Sequence, residues 1–322
     1  MIIRKNVPIY DICWLNHTKG GTIGIYYEPE NIDELKSICF SLFQDGKHFD
    51  LIGHTSNIYF LPDYSVDYMV STRKLNSIVE YNDTIVCDCG VSVMKLARQM
   101  VDKGVKGFEG LIDLPGTVAA SIYGNASCYE CSINDLLLSC ELLQPDGKIV
   151  KIQAQDLRLS KRSTALKRGE LEGVILSAKL KKECGDIKEI QEKANSNHLS
   201  RKAQQPDPQD NLGSIYAESG GWAFFSFIPR VIVKLYGWML FVCGKKNEIV
   251  NRKKKEFLFY LLGASDILPY VYNWNRYIWK DEKAHTLFGK FHKMHQKMFK
   301  QSQFEIEIKG DTSKYHIVND II

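Results

Sequence analysis

Residues 107–135, GFEGLIDLPGTVAASIYGNASCYECSIND, bring together glycines, a Pro-Gly-Thr turn, small side chains and amides with almost no bulk. Small residues let a backbone approach a ligand closely, and glycine relieves the steric limits on such a path. Successive N–H groups in turns of this kind make concavities that bind anions such as a pyrophosphate. A second loop sharpens the signal: residues 51–57, LIGHTSN, set Gly, His, Thr, Ser and Asn after a short apolar strand. The dinucleotide fingerprint GxGxxG is absent, as is the nucleoside-triphosphate loop GxxxxGK followed by Ser or Thr. Neither a Rossmann-bound nicotinamide nor a kinase-type site is therefore supported.

Other reactive residue types carry less. Cys87-x-Cys89 and Cys128-x-x-Cys131 do not complete a zinc spacing, and the second pair falls inside the small-residue segment. His292-x-x-His295 puts two imidazoles on neighbouring helical turns flanking an apolar stripe, which reads as a solvated face. No metal site is expected. Nine cysteines, an odd number scattered along the chain, read as reduced thiols in a cytoplasmic protein. The N-terminus MIIRKNVPIYDICWL lacks the apolar core and cleavage site of a signal peptide. A net charge of +4 is too small to argue for nucleic acid, although Lys245, Lys246, Arg252, Lys253, Lys254 and Lys255 cluster closely.

Positioning these loops needs elements around them. A chain of 322 residues suggests two domains. Asn31 with Glu34 three residues on caps a helix whose apolar positions are Ile32, Leu35, Ile38, Cys39 and Leu42. That helix should end near Gly46, and a strand over 48–52 then runs into the LIGHTSN loop. Strands are predicted over 67–71, 84–89, 136–143, 148–152 and 173–180, with a helix over 92–101 stopped by Gly104. A polar stretch over 183–210 holds the expected domain boundary and one helix near 187–195. Beyond it lie an apolar insert at 222–244, helices near 257–262 and 282–299, and a closing strand over 304–308.

At the two loops the chain resembles the UDP-N-acetylenolpyruvoylglucosamine reductases, flavoenzymes of the wider vanillyl-alcohol-oxidase type. The family's Gly-Gly-Gly-Ser-Asn loop stands here as Gly53-His54-Thr55-Ser56-Asn57. Its Gly-Leu-Glu-Gly, Ile-Pro-Gly-Thr-Val-Gly and Asn-x-Gly-Ala-Tyr-Gly motifs stand as Gly107-Phe108-Glu109-Gly110, Leu114-Pro115-Gly116-Thr117-Val118-Ala119 and Asn125-Ala126-Ser127-Cys128-Tyr129-Glu130. The resemblance implies FAD bound by Gly53, His54, Thr55, Ser56, Asn57, Gly110, Pro115, Gly116, Thr117, Ser121, Asn125, Ala126 and Tyr129, with NADPH as reductant. The flavin is expected to be held non-covalently, with His54 hydrogen-bonding to a phosphate oxygen.

Reduction of an enolpyruvyl group needs a hydride donor, a group that stabilises the enolate, and an acid for the neighbouring carbon. The family's Tyr-Arg-x-Ser-x-Phe-Lys motif aligns with Lys161-Arg162-Ser163-Thr164-Ala165-Leu166-Lys167, which implies Arg162 as the substrate-carboxylate ligand. Gln205-Pro206 ahead of Gly213-Ser214 implies Ser214 as the proton donor. The family's Leu-Glu-x-Glu-Val-Arg strand aligns with Phe304-Glu305-Ile306-Glu307-Ile308-Lys309 and implies Glu307 as the catalytic carboxylate. Alternation alone puts Glu305 and Glu307 on the same strand face and does not choose between them.

The expected fold is α+β: a two-part FAD-binding domain of the PCMH type over 1–183, then a smaller α/β substrate domain over 184–322. The expected activity is a flavin-dependent reduction of a sugar or sugar nucleotide in cell-wall or surface-polysaccharide synthesis. The alternatives are another flavin redox enzyme of this superfamily, an oxidase or epimerase type, and a non-catalytic flavin-binding paralogue. After Ser214 the family's polar residues give way to Ile215-Tyr216-Ala217-Glu218, which predicts weakened diphosphate contact and poor turnover of the family's UDP-sugar. The insert at 222–244 contains Pro229, Arg230 and Lys234. It reads first as a buried helix pair, next as a helix docking on a membrane surface together with the basic run to 255, and last as a true span.

Overall fold

Two antiparallel strands open the chain, β1 (Ile2–Pro8) and β2 (Thr22–Glu28), and helix α1 (Ile32–Gln44) follows. The computed structural model describes residues 1–18, 20–218, 221–223, 226–315 and 317. The Asn31 side chain caps α1 by accepting from the Glu34 N–H at 2.9 Å, as the capping pattern predicts. Its apolar stripe, Leu35, Ile38, Cys39 and Leu42, is buried against Val70, Leu75, Leu143 and Leu176. Strand β3 (Asp50–Ile52) comes next, then β4 (Ile58–Phe60) and β5 (Val66–Ser71). The first sheet has the order β1-β2-β5-β3, with β5 parallel to both β2 and β3. The β3 end of this arrangement delivers Gly53.

A second sheet is antiparallel throughout. Its strands are β6 (Ile78–Glu80), β7 (Thr84–Asp88), and, beyond the small hairpin β8 (Ser127–Cys128) and β9 (Cys131–Ser132), β10 (Leu137–Leu143), β11 (Ile149–Gln153) and β12 (Val174–Lys181). Their order is β11-β10-β12-β7-β6. Helices α2 (Val93–Asp102), α3 (Val118–Tyr123) and α4 (Ile133–Leu136) carry the segment between β7 and β10. Val93, Leu96, Ala97 and Met100 of α2 enter one core with Phe108, Leu111, Val118, Ile122 and Leu180. The small-residue segment is therefore anchored on both sides of its turns by buried side chains.

The chain divides into two units: residues 1–14, 21–56 and 65–205 make the first, and residues 15–20, 57–64 and 206–322 the second. Sequence reading put the boundary at 183/184. Helix α5 (Ile187–Gln204) is longer than the expected 187–195, and it buries Ile190 and Ala194 in the first unit's core. Those contacts carry the first unit to Gln205.

The second unit is built on helix α8 (Glu282–Met298), reached through β13 (Tyr216–Glu218), α6 (Phe227–Val242), α7 (Asn247–Leu261), β14 (Val271–Asn273) and β15 (Arg276–Tyr277). The expectation that His292 and His295 lie on a solvated face is overturned, since both are fully buried, and His285 is nearly so. Each ring is matched by a hydroxyl: His285 Nδ1 to Tyr59 Oη at 3.2 Å, His292 Nδ1 to Tyr216 Oη at 3.1 Å, and His295 Nδ1 to Ser302 Oγ at 2.7 Å. The rings also stack, His295 on Tyr216 with centroids 3.7 Å apart and His292 on Phe304 at 4.5 Å. Helical spacing alone could not reveal these partners, which lie on other elements.

Three further expectations change. The single strand over 304–308 is two short ones: β16 (Gln303–Phe304) pairs with β13, and β17 (Glu307–Lys309) runs parallel to β4. The predicted 257–262 helix is the end of α7, which also contains most of the basic run. The insert over 222–244 forms one helix among the described residues, α6, and its helical partner α7 lies beyond it. The two are not the buried pair expected, because α6 buries only Val233 and Gly237.

Buried His295 gives the second unit a pH dependence. Burial, and secondarily the neighbouring His292, lowers the His295 pKa to about 3. Unfolded, the same ring titrates near 6.5. Between those values the unfolded chain binds a proton that the folded one does not, so stability is fully present above about pH 6.5 and falls as the pH drops toward 3. His295→Asn is expected to remove one proton's worth of slope, about 1.4 kcal/mol per pH unit, from urea unfolding between roughly pH 4 and 6. An unchanged slope would show that His295 does not titrate this way.

Candidate active site

The loop after β3 is fixed by its own side chains. Thr55 has a left-handed backbone, φ +57, and is buried. Its hydroxyl accepts from the Trp14 N–H at 2.8 Å and donates to the Ile12 carbonyl at 3.3 Å. Arg73, just past β5, donates through Nε to the Gly53 carbonyl at 2.8 Å and through Nη2 to the Ile12 carbonyl and to Thr55 Oγ1. Arg73 was not singled out in the sequence, where it is an ordinary arginine after a strand. Burial, then the charges of Arg73 and Lys95, push the His54 imidazole below its ordinary pKa. A neutral ring at this place can donate one hydrogen bond and accept another.

Gly53 meets the second segment directly. A Cβ built there would stand 2.5 Å from Thr117 Oγ1 and 2.9 Å from its Cγ2, so no side chain fits without moving Thr117. Thr117 caps α3, its hydroxyl accepting from the Ala120 N–H at 3.4 Å. The turn before it holds Gly116 at φ +124, a conformation glycine adopts freely, with Ser56 Oγ and Ser121 Oγ 3.6 and 3.8 Å from a hypothetical Cβ. Backbone bonds pin the turn to the end of β7: Val93 N–H to Gly116 O, Val118 N–H to Val91 O and Ala119 N–H to Cys89 O. Thus Gly53, Ser56, Gly116, Thr117 and Ser121 converge, while Thr55 holds the first loop from behind through Ile12 and Trp14.

Farther along, Asn125 and Tyr129 are left-handed at φ +44 and +46. Asn134, buried on α4, donates to Asn125 Oδ1 at 3.0 Å, and Asn125 Nδ2 donates to the Ser160 carbonyl at 2.7 Å. Gly110 is pressed on the hairpin, with a hypothetical Cβ 2.3 Å from the Cys128 carbonyl. Arg162, itself left-handed at φ +54, donates through Nη1 to Ser127 Oγ at 2.9 Å and to the Ser127 carbonyl at 3.2 Å. It sits half-buried on the segment that contains Asn125, Ala126 and Tyr129.

Helix α5 supplies contacts that sequence reasoning missed. Asn197 donates to the Glu109 carbonyl at 3.2 Å, His198 Nδ1 lies 2.7 Å from Asp113 Oδ2, and Arg201 Nη1 lies 3.2 Å from Cys128 Sγ. Residues 197, 198 and 201 fall on one side of a helix, so the spacing was present in the sequence, but nothing there named their partners.

In the second unit, Asn57, Ser214 and Glu307 come together through the backbone. Glu307 N–H donates to the Asn57 carbonyl at 2.9 Å, and Asn57 Nδ2 donates to the Glu305 carbonyl at 3.1 Å. Glu305 N–H in turn donates to the carbonyl of Ile215, the neighbour of Ser214, at 2.8 Å. Gly213, at φ +79, turns the chain ahead of Ser214. Because the strand changes partner between Phe304 and Glu307, simple alternation does not apply to Glu305 and Glu307. Ile215 and Tyr216 are core residues, Tyr216 stacking on His295, so their replacing polar residues does not report on a diphosphate contact. The Glu218 side chain lies outside the described residues.

The glycine cradle fits a flavin dinucleotide. Two loops approach so closely that a Cβ at Gly53 would fill the space between them, and hydroxyls of Ser56, Thr117 and Ser121 border the turn at Gly116. Among the described residues no group of three or more His, Cys, Asp or Glu is placed to hold a metal.

Comparison with known proteins gives the same picture. A family model described as an FAD binding domain matches residues 24–153. The chain is 30% identical over 220 residues to the UDP-N-acetylenolpyruvoylglucosamine reductase of Caldicellulosiruptor saccharolyticus, covering 67% of this chain and 69% of that one. It is 26% identical to the reductase of that name from Carboxydothermus hydrogenoformans, over 81% of this chain and 84% of the relative. The crystal structure of UDP-N-acetylenolpyruvylglucosamine reductase from Thermus caldophilus superposes with a TM-score of 0.56 at 20% identity, covering 67% of this chain and 75% of that one, which shows the shared fold.

Gly53→Ala is expected to displace Thr117 and lower FAD retention at least roughly tenfold, a loss of about 1.4 kcal/mol of binding, with the circular dichroism spectrum unchanged. Flavin absorbance per protein after gel filtration checks this. Retention equal to the parent would show that the loop contact does not shape the flavin site. Acid precipitation of the parent should release all yellow colour into the supernatant.

Proposed function

This chain belongs to the UDP-N-acetylenolpyruvoylglucosamine reductase family, and we propose that it is an FAD-dependent reductase of UDP-N-acetylenolpyruvoylglucosamine that draws its electrons from NADPH. The observation that carries the proposal is the contact of Gly53 with Thr117, which joins the two loops of a chain matching an FAD binding domain. The names of the relatives supply the substrate. The reaction belongs to cell-wall precursor synthesis. We place the enzyme in the cytoplasm, with peripheral contact at the inner face of the membrane.

FAD, when bound, supplies the hydride that the substrate alkene receives. The chain's own residues do the rest. Gly53, Ser56, Gly116, Thr117 and Ser121 hold the cofactor's phosphates through backbone and hydroxyl groups, and Thr55, whose hydroxyl is committed to Trp14 and Ile12, fixes the path of the loop. The guanidinium of Arg162 binds the substrate carboxylate and offsets the charge that develops on it as the neighbouring carbon becomes electron-rich. Ser214 Oγ–H gives its proton to that carbon. Glu307 orients the donor and the enol oxygens. The link from Glu305 and Glu307 to Ile215 and Asn57 supports pairing Ser214 with Glu307. A hydride and a proton together saturate the alkene.

Ser214→Ala is expected to leave flavin reduction by NADPH nearly intact while slowing re-oxidation by substrate about 10²–10⁴-fold, the usual contribution of a positioned acid. Arg162→Ala and Glu307→Gln should damage the same half-reaction in stopped-flow measurements. If flavin reduction fails instead in all three, these residues serve the cofactor site or the fold and the assigned roles are wrong.

A further inference from the structure

Helix α6 carries an apolar stripe on its outside. Ile228, Ile232, Leu235, Trp238, Met239 and Val242 follow a helical spacing of 4, 3, 3, 1 and 3 residues, which lines them along one face. All are exposed, Trp238 by 67% and Leu235 by 62%. The inner face is narrow. Val233 packs with Leu258 and Met298, and Gly237 lets the stem of Lys254 lie against the α6 backbone, its Cδ 2.5 Å from a hypothetical Cβ. Such a contiguous stripe of large apolar side chains is rarely left in water, and marks a surface that meets an apolar phase or partner.

Charge beside the stripe indicates which. Residues 245–256 contain six cations, four of them Lys245, Lys246, Arg252 and Lys253, and only Glu248 and Glu256 as acids. The local excess of four equals the net charge of the entire chain, +4. Glu256 pairs with Lys253 at 2.8 Å and with Arg252 at 3.7 Å, the Lys254 stem lies on α6, and Lys255 donates to the carbonyls of Val271 and Tyr272. Lys245 and Lys246 stand exposed at the α6–α7 turn, where the stripe ends. At the opposite end Arg230 lies over the Trp222 ring, 4.3 Å from its centroid, so a cation and an aromatic ring meet where α6 begins. An apolar helical face bordered by cations and indole rings matches the chemistry of an anionic bilayer surface. No helix among the described residues is long and apolar enough to cross a membrane. The helix can therefore lie in the interface, with Lys234 extending its charged end from the border of the stripe toward the headgroups.

We propose that the α6–α7 hairpin docks the protein on anionic phospholipid, with the stripe of α6 in the headgroup–acyl boundary and Lys245 and Lys246 on the lipid phosphates. This gives residues and a lipid class to the peripheral membrane contact proposed above, and it is independent of the flavin chemistry.

The test is co-sedimentation of the purified full-length protein with vesicles of phosphatidylcholine alone or mixed with phosphatidylglycerol, scored with flavin content. Binding to the mixed vesicles is expected at low salt, with little binding to phosphatidylcholine alone. Neutralising two lysines in Lys245→Gln/Lys246→Gln should weaken it on the order of 30-fold, since each cation near an anionic surface adds roughly fivefold. Leu235→Glu/Trp238→Glu should abolish it; if that variant fails to fold, the lysine variant, changed only at an exposed turn, still decides. No binding at low salt, or binding that neither variant alters, overturns the proposal. So does a dimer in lipid-free solution that Leu235→Glu/Trp238→Glu disperses, because the face then belongs to a second copy. Vesicle binding by a protein that takes up no FAD would sink the proposed reductase activity and leave the docking surface standing.

Discussion

The arrangement of the first unit turns on one close approach, the backbone of Gly53 against the side chain of Thr117. Gly53 comes from the end of a strand in the first sheet, and Thr117 begins a helix fastened to the end of β7 in the second. Where they touch there is no room for a Cβ. That requirement explains why the first loop retains a glycine at this position although two other positions, at 54 and 55, carry His and Thr. It also explains the effort spent on Thr55, which accepts one backbone donor and binds one backbone acceptor while held at positive φ. A non-glycine residue in that conformation is strained, and such strain persists only where surrounding bonds overdetermine it.

The second segment is held with the same economy from outside. Arg162 and Asn134 bind backbone and amide groups around Asn125 and Ser127, and α5 reaches Glu109, Asp113 and Cys128. A loop rich in glycine and small residues has few packing contacts of its own, and ordering it costs on the order of 1–2 kcal/mol of backbone entropy per residue. Side chains borrowed from a helix and from the 160s loop offset that cost without adding bulk to the ligand face. The first unit accordingly extends through α5 to Gln205, the helix whose side chains bond the segment that the glycines define.

What could be read in the sequence was local. Asn31 and Ser92 precede helices whose apolar positions repeat properly, and the glycine pattern located both loops. The failures all involve partners distant in the chain. His292 and His295 looked solvated because an imidazole on a helix flank is usually so, yet Tyr216 and Ser302 reach their Nδ1 atoms from other elements. Residues 304–308 alternate like one strand, and alternation contains no sign that the chain exchanges β13 for β4 halfway. Arg73, Asn197, His198 and Arg201 are common surface residue types until their acceptors are known. Composition detected the apolar character of 222–244 and could not show whether anything covers it.

The second unit shows polar and apolar groups exchanging their customary places. Three histidines lie inside, each bonded at Nδ1 to the hydroxyl of Tyr59, Tyr216 or Ser302, while Leu235, Trp238 and Val242 stand in solvent. Burying an unmatched polar group costs roughly 1–3 kcal/mol, whereas a matched pair costs little. The interior can therefore tolerate the histidines provided the hydroxyls are placed, and the aromatic rings of Tyr216, Phe291 and Phe304 fill the volume around them. The outward leucine and tryptophan have no such compensation in water. Packing in this unit does not require them, since α6 is held through Val233 and Gly237 and through Tyr236 on Phe257. An apolar stripe that the fold does not use is explained by contact with something outside the chain.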